Sequence, residues 1–231
     1  PPPPVGAILP AMAGEGQGQG RTWRGRNADE RREIRRRQLI DAGIERFGTD
    51  GYAATSVKAI CDEAGLTERY FYENFRDREA LLKAVYEILI RDATSAVLEN
   101  MNEVDGDADA MLKAGLATFA RHVAANPKRA RIQQLEVVGV SDRIEEVRRG
   151  AIHAFADLIA DTSRRFGSPD HRDGFDLDVM AIGLVGLVNE QLIDFVRGEL
   201  DVDIERLIEN QASAFTVLSG VILPAERPGR K

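Results

Sequence analysis

Cysteine is nearly absent from this sequence, in which Cys61 is the single cysteine among 231 residues. A lone cysteine excludes an internal disulfide and fits the reducing environment of the cytoplasm. The sequence also lacks an uninterrupted run of 18 apolar residues, and it does not start with a basic segment followed by an apolar core. We therefore expect a cytoplasmic chain with no membrane span and no secretory leader.

Motifs of the common enzyme classes are missing as well. The sequence contains no G-x-S-x-G, no phosphate-binding P-loop and no dinucleotide-binding fingerprint. Its three histidines, His122, His153 and His171, are too widely spaced for a metal-binding motif. We predict no catalytic residues, no metal site and no cofactor. An enzyme built on a helical bundle is the less favoured alternative.

Strand patterns are absent too, because no stretch alternates β-branched with polar residues. Aromatic residues make up 6% of the chain, whereas Ala, Leu, Ile, Val, Glu and Arg are abundant, which favours helix. A length of 231 residues suits a small domain followed by a larger one. The composition therefore predicts an all-α chain of two domains.

The first 20 residues are rich in proline and glycine and carry almost no charge. Such a segment cannot bury a core, so we predict a disordered N-terminal arm over residues 1–27. The end of this arm contains Arg21, Arg24 and Arg26. Two interpretations stay open for these arginines: they lie in a DNA minor groove, or they form a solvated tail.

Two short helical patterns joined by a glycine turn lie between Thr55 and Leu82. Thr55 is suited to cap the first helix, in which Val57, Ile60 and Ala64 recur at helical spacing and predict a buried stripe. Gly65 follows where a helix commonly ends in the left-handed conformation.

Thr67 is suited to cap the second helix, and Phe71 and Phe75, four residues apart, are predicted to face the core. This arrangement leaves a set of polar and aromatic residues exposed, namely Glu68, Arg69, Tyr70, Tyr72 and Glu73. A helix, a glycine turn and a second helix with exposed Arg and Tyr near its start is typical of a DNA-reading helix-turn-helix.

From Ile34 to Val85 the sequence resembles the N-terminal domain of the TetR family of transcriptional regulators. The matching residues lie along the whole stretch without a gap: Ala42, Gly43, Phe47, Gly51, Tyr52, Thr55, Ser56, Ala64, Gly65, Tyr72, Phe75, Arg78, Glu79, Leu81 and Leu82. The sequence departs from the family pattern at Cys61, Arg69 and Tyr70, where the family commonly has Ala, Gly and a small residue. Because base edges are read at positions 69 and 70, we do not assume that this protein binds the family's best-known operators.

The resemblance implies a homodimeric repressor that binds a palindromic double-stranded DNA operator and is released by a small, mainly lipophilic effector. A constitutive or protein-responsive regulator without an effector is the alternative. In the family the last two helices of each chain form a four-helix bundle at the dimer face. The apolar helix that starts near Leu177 fits that role, with Gly183 and Gly186 available for close helix approach and Val185 and Val188 as candidate interface positions.

Charge is distributed unevenly along the chain, whose net charge is −7. Ten basic and six acidic residues lie between Arg21 and Lys58, whereas 18 basic and 26 acidic residues lie from Glu79 onward. The positive excess lies beside the proposed reading helix, where neutralisation of DNA phosphates requires it.

The turn near residues 102–107 and the Asn126–Pro127 break divide the remaining chain into helices. We place a helix-turn-helix domain at residues 28–76 and a helical effector and dimerisation domain at residues 77–231. Helix one is predicted at about residues 28–47, and a fourth helix at about 77–101 links the domains. Later helices are predicted at about residues 107–125, 128–138, 141–166, 177–198 and 203–219.

The resemblance also assigns candidate DNA contacts. Phosphates would be bound by Thr55, Ser56, Thr67 and Tyr72 through hydroxyls and helix N-termini. Base edges would be read by Arg69 and Tyr70, with Glu68 beside them and Arg suited to guanine. Arg78 would add a backbone contact, and Arg24 and Arg26 of the arm are candidate contacts in the minor groove.

Candidate effector contacts lie on the helices that enclose the family's cavity: Phe119, His122, Gln133, His153 and Asn189. Each of them also has an ordinary interpretation as a surface or packed-core residue.

Overall fold

Nine α-helices and one π-helical turn are found in the part of the chain that the computed structural model describes, which comprises residues 23–166, 171–172 and 175–222. The helices are α1 (Trp23–Thr49), α2 (Val57–Ala64), α3 (Glu68–Asn74), α4 (Arg78–Glu103), α5 (Ala108–Ala124), α6 (Pro127–Arg131), the π-helix (Ile132–Glu136), α7 (Asp142–Arg165), α8 (Leu177–Arg197) and α9 (Ile204–Ile222). The predicted all-α fold class is confirmed.

Three local predictions were wrong. Helix α1 begins at Trp23 rather than at residue 28, because Gly25 weakens a helix by only about 1 kcal/mol and does not stop it. The helix predicted at 128–138 is divided into α6 and a π-helix. A two-residue antiparallel pair, β1 (His171–Arg172) with β2 (Phe175–Asp176), precedes α8 and is too short to produce a sequence pattern.

Among the described residues, the N-terminal unit comprises residues 23–88, and it divides from the second unit inside α4. Helices α1, α2 and α3 pack against one another around Phe47, Ile60 and Phe71, all of them fully buried. The predicted inward positions of Phe71 and Phe75 are confirmed. Gly65 ends α2 at φ 65°, as expected for a left-handed helix end.

A close approach between α1 and α4 completes this unit. A Cβ at Gly43 would lie 3.2 Å from side-chain atoms of both Leu81 and Val85. Because those two residues are fully buried, any larger side chain at Gly43 would have to displace the core. The small residue on helix one therefore sets how closely α4 packs.

The second unit comprises the described residues from Leu89 onward, which include two clusters of buried apolar residues. One cluster joins α4, α5, α7, α8 and α9 around residues such as Val97, Leu184 and Phe215. The other joins α5, α6, α8 and α9 around Val123 and Leu192. An exposed ion pair, in which Arg121 Nη2 lies 2.7 Å from Glu205 Oε2, connects α5 to α9, and the hydrogen bonds from Arg121 lower the pKa of Glu205.

Helix α8 is long and apolar enough to cross a membrane, and within the described residues it is the one helix that meets this test. The core helix of a soluble protein also meets it, and α8 buries Leu184, Val185 and Leu192 against its own unit. Other faces of α8 remain exposed.

Two helical glycines in the second unit should respond in opposite directions to substitution. A Cβ at Gly115 would lie 2.8 Å from the Sδ atom of buried Met101, whereas a Cβ at Gly150 would meet no atom within 4 Å. We expect Gly150→Ala to stabilise the protein by about 0.5–1 kcal/mol and Gly115→Val to destabilise it by about 1–3 kcal/mol. Urea unfolding measures both, and equal effects at the two sites would contradict this packing.

Candidate nucleic-acid interface and effector region

The start of α3 is the most exposed part of the helix-turn-helix. Thr67, Glu68 and Arg69 are all exposed, and the Arg69 side chain retains 84% of its accessible surface. Thr67 occupies the N-cap position with an extended backbone, but its side chain makes no capping hydrogen bond. This end of α3 therefore presents backbone amides, a hydroxyl and a guanidinium to solvent, which suits an anionic partner.

Arg69 is held on the helix surface by Glu73, one turn later. Arg69 Nε donates to Glu73 Oε1 at 3.0 Å. An exposed ion pair of this kind is worth only a few tenths of a kcal/mol, about 0.3–0.5. The pair orients Arg69 along α3 and is weak enough for Arg69 to exchange Glu73 for another acceptor.

Tyr70 and Tyr72 differ in their surroundings. Tyr72 is 58% exposed, and its ring packs edge-on against Phe71. Tyr70 is half-buried, and the guanidinium of Arg35 in α1 lies 4.5 Å from the centre of its ring. Of the two residues predicted to read bases, Arg69 is exposed to solvent, whereas the ring of Tyr70 faces α1.

The assignment of Thr55 to phosphate binding was wrong, and so was its role as the cap of α2. Thr55 is 1% exposed, and its hydroxyl donates to the carbonyl oxygens of Gly51 at 2.7 Å and Arg46 at 3.3 Å. Ser56 caps α2 instead, accepting a hydrogen bond from the Ala59 amide at 3.1 Å. Ser56 is exposed, so its hydroxyl remains available to a phosphate.

Arg78 also has a structural role that the sequence pattern did not indicate. Its Nη1 atom donates to the carbonyl oxygens of Tyr52, at 3.1 Å, and of Thr55. Its guanidinium also lies 5.1 Å from the Tyr52 ring centre. Because these contacts fix the loop before α2, the prediction that Arg78 binds the DNA backbone is not supported by the direction of its side chain. The side chains of Arg24 and Arg26 lie outside the described residues.

Cys61 lies in the core of this unit and is 2% exposed. Burial raises the pKa of its thiol, which keeps the thiol protonated and unreactive at neutral pH. Its interpretation as a small buried apolar residue therefore fits the structure better than a redox role.

The candidate effector residues occupy different environments in the second unit. Phe119 is partly buried between both apolar clusters, with its ring centre 5.1 Å from that of Phe155. His122 and Asn189 are half-buried, and Gln133 is 6% exposed. His153 is exposed on α7, so its assignment to an interior effector site was wrong.

Two glutamine side chains of the second unit bury amide atoms. The Nε2 atom of Gln133 is buried with no hydrogen-bond partner within the described part of the chain. Gln211, on the inner face of α9, is fully buried, and neither its Oε1 nor its Nε2 has a partner among the described residues. Leaving such groups unpaired costs about 1–3 kcal/mol each. Gln211 was not predicted as a site residue, although its spacing from Leu207 and Phe215 places it on the apolar stripe of α9.

Comparison with known families gives a match over residues 39–85 to the family described as bacterial regulatory proteins, tetR family. This range covers the end of α1, all of α2 and α3 and the start of α4. The match therefore coincides with the residues that form the N-terminal unit's core.

Relatives of known function are also regulators. The chain is 22% identical to the fatty acid metabolism regulator protein of Bacillus subtilis, over 74% of this chain and 88% of that protein. It is 30% identical to the HTH-type transcriptional regulator BetI of Paraburkholderia xenovorans, over 37% of this chain and 44% of that protein.

Solved structures extend the likeness in fold beyond the helix-turn-helix. The regulator FadR of Bacillus subtilis, in complex with stearoyl-CoA, is similar with a TM-score of 0.69 at 18% identity, covering 77% of this chain and 96% of that one. FadR of Bacillus halodurans gives a TM-score of 0.67 at 20% identity, covering 78% and 94%. Together with the helix-turn-helix geometry, these matches show a tetR-family DNA-binding domain over residues 39–85 in a chain whose fold is that of these solved regulators.

Proposed function

We propose that the protein is a homodimeric transcriptional repressor that binds a palindromic operator and releases it when a lipophilic effector binds. The observation that carries this proposal is the exposed start of α3, where Arg69 projects from a helix-turn-helix whose sequence matches the tetR family. In this geometry the second helix of the motif enters the DNA major groove with its first residues against the bases.

Each exposed residue then has a defined contact. Arg69 releases Glu73 and binds the O6 and N7 atoms of a guanine with two hydrogen bonds. Ser56, Thr67 and Tyr72 bind phosphates, which fixes the position of the helix without reading sequence. The N-terminal amides of α3 add a favourable dipole toward the phosphates.

A dimer face is supported by the exposed stripe of α8. Val179 is 66% exposed and Ile182 is 41% exposed. Gly183 and Gly186 follow on the same face at helical spacing, and both are exposed, with open space where a Cβ would lie. On α9, Val217 is 75% exposed. A soluble protein seldom leaves such apolar surface uncovered, and glycines allow a second helix to approach closely.

Val185 and Val188, the interface positions expected from the sequence, do not lie on the exposed face of α8. Val185 is 8% exposed and packs in its own unit's core, and Val188 packs against the second apolar cluster. Because α8 is apolar on all sides, the sequence pattern did not distinguish its inner from its outer face. The proposed interface therefore uses Val179 and Ile182.

The effector class follows from the character of the second unit and from its relatives. Phe119 packs against both apolar clusters of this unit, and the unit also buries the Gln133 Nε2 atom and the Gln211 amide, which have no hydrogen-bond partner among the described residues. The related FadR structure contains stearoyl-CoA. We infer that the effector has a long apolar chain with a polar group that pairs with one of these amides, and that Phe119, His122 and Asn189 lie along its path.

Release of DNA requires the effector to prefer a conformation in which the two reading helices are wrongly spaced. Helix α4 contains the division between the two units, so a shift of α4 is the route by which effector binding reaches α3. A tenfold loss of DNA affinity corresponds to about 1.4 kcal/mol of coupling, and DNA must weaken effector binding by the same factor.

Replacing Arg69 tests the reading surface. We expect Arg69→Ala to cost about 1–3 kcal/mol on the operator and to relax discrimination at one base pair in each half-site. Tyr72→Phe is the matched control, since loss of a phosphate contact should weaken specific and random DNA equally. Footprinting on the protein's own upstream region identifies the operator, and fluorescence anisotropy measures both affinities. Equal losses on both DNAs for Arg69→Ala would exclude Arg69 as a base reader.

Replacing Ile182 tests the dimer face. Ile182→Asp places a charge on the proposed interface and should give a monomer in sedimentation experiments, with a large loss of operator affinity. Val138→Asp is the control, because Val138 is 53% exposed in the turn before α7, outside the two helices of the proposed interface, and should leave the dimer intact. Wild-type protein that sediments as a monomer at micromolar concentration would contradict this interface.

Replacing Gln211 tests the effector site. Gln211→Met removes two unpaired polar atoms from the interior, so we expect it to raise the melting temperature while lowering affinity for stearoyl-CoA about tenfold. Asn210→Ala changes the exposed neighbouring amide and should do neither. Thermal-shift and operator-release titrations with stearoyl-CoA and stearic acid measure the response. A wild-type protein that binds these ligands yet keeps full operator affinity would support a regulator controlled in another way.

A further inference from the structure

Three arginines of α1 contact the reading helix directly, and we call them the α1 arginine clamp. Arg32 Nη2 donates to the Glu73 carbonyl oxygen at 3.0 Å. The Arg35 guanidinium lies 4.5 Å from the Tyr70 ring centre, and that of Arg36 lies 4.6 Å from the Phe75 ring centre. Positions 32, 35 and 36 lie on one face of α1 at helical spacing. The clamp therefore contacts α3 near its start, in its last turn and at its C-cap.

The neighbouring Arg37 provides a contrast. Its side chain is 77% exposed, and its Nε lies 3.7 Å from Glu33 on the same helix. Arg35 and Arg36 are half-buried, and the Nε of Arg35 is buried with no hydrogen-bond partner within the described residues. The Arg35 guanidinium therefore lies against the aromatic face of Tyr70, and the negative face of the ring attracts the cation electrostatically.

We propose that the α1 arginine clamp sets the orientation of α3, and that Arg35 acts through Tyr70 as a positioning residue for operator discrimination. The proposal rests on the proposed function, in that α3 reads DNA. It assigns a role to Tyr70 that differs from base reading: its ring is the surface against which α1 holds the reading helix.

The physical reason is the shortness of α3. It has seven residues and buries only Phe71 within its own span. A helix of this length is not stable alone, so its orientation depends on what packs against it. Arg69 directly precedes Tyr70 in the sequence, and a hydrogen bond to a base tolerates a displacement of only a few tenths of an ångström, roughly 2.7–3.2 Å between heavy atoms. A small rotation of α3 therefore removes the base contact.

A different role for the clamp would be direct phosphate binding. A lost phosphate contact weakens specific and random DNA equally and makes the slope of log affinity against log salt shallower by about one unit. A lost positioning contact instead lowers the ratio of specific to random affinity. The two roles therefore predict different measurements on the same variant.

The experiment uses full-length protein with Arg35→Ala, Tyr70→Leu, the double variant, Tyr70→Phe and Arg37→Ala. We expect Arg35→Ala and Tyr70→Leu each to lower the ratio of operator to random-DNA affinity about three- to tenfold. The double variant should lose no more than either single one, because the two residues act as a pair. Tyr70→Phe keeps the ring and should restore the wild-type ratio, and Arg37→Ala should preserve it.

Amide hydrogen exchange without DNA gives an independent measurement. Arg35→Ala should speed exchange in residues 68–75 and leave α2 unchanged, whereas Arg37→Ala should match the wild type. Additive losses in the double variant, an unchanged ratio with a shallower salt slope, or unchanged exchange in α3 would each overturn the proposal. Wild-type protein with no preference for its own upstream DNA would instead contradict the proposed function, even if the exchange results showed that the clamp holds α3.

Discussion

Burial of Phe71 and Phe75 against α1 and α2 is the interaction on which the rest of the N-terminal unit depends. Helix α3 is too short to form on its own, and these two rings are the apolar groups that fix it to the core. Their burial leaves the other side of α3 exposed, with Arg69 at its start. The same packing brings Tyr70 against Arg35, so one arrangement determines both the exposed and the supported side of the helix.

The loop before α2 is fixed by buried polar groups rather than by apolar ones. Thr55 and Arg78 both donate to backbone carbonyls in this region. These bonds lie in a buried or partly buried part of the loop, where carbonyl oxygens need donors, and the two side chains provide donors to them. Thr55 and Arg78, whose side chains could bind phosphate, therefore stabilise the fold instead, and our proposal assigns phosphate contacts to the exposed Ser56 and Thr67.

In the second unit, unpaired amides lie inside an apolar core. Gln211 is buried among residues that offer its amide no partner within the described residues, which lowers the stability of this packing. A core that buries polar atoms without hydrogen-bond partners can change conformation at a low cost in free energy when a ligand supplies those hydrogen bonds. In our proposal, the stability of the second unit and its response to an effector are therefore opposed at Gln211. Helix α8 also has two roles, because one face packs in the core of its own unit and, in our proposal, its exposed apolar face packs against a second subunit.

The sequence by itself determined the all-α class, the helix-turn-helix, the inward Phe71 and Phe75 and the left-handed Gly65, because helical periodicity and glycine conformation are local properties. It also placed Arg69 on the exposed face. Only the tertiary structure decided the roles of Thr55, Arg78 and Tyr70, since each has a partner between 9 and 35 residues away in the chain. Spacing could not show that His153 faces solvent, that the buried amide of Gln211 has no partner among the described residues, or which side of α8 is exposed. Those properties depend on which helices pack together, and a helix that is apolar on every side carries no periodic signal to indicate it.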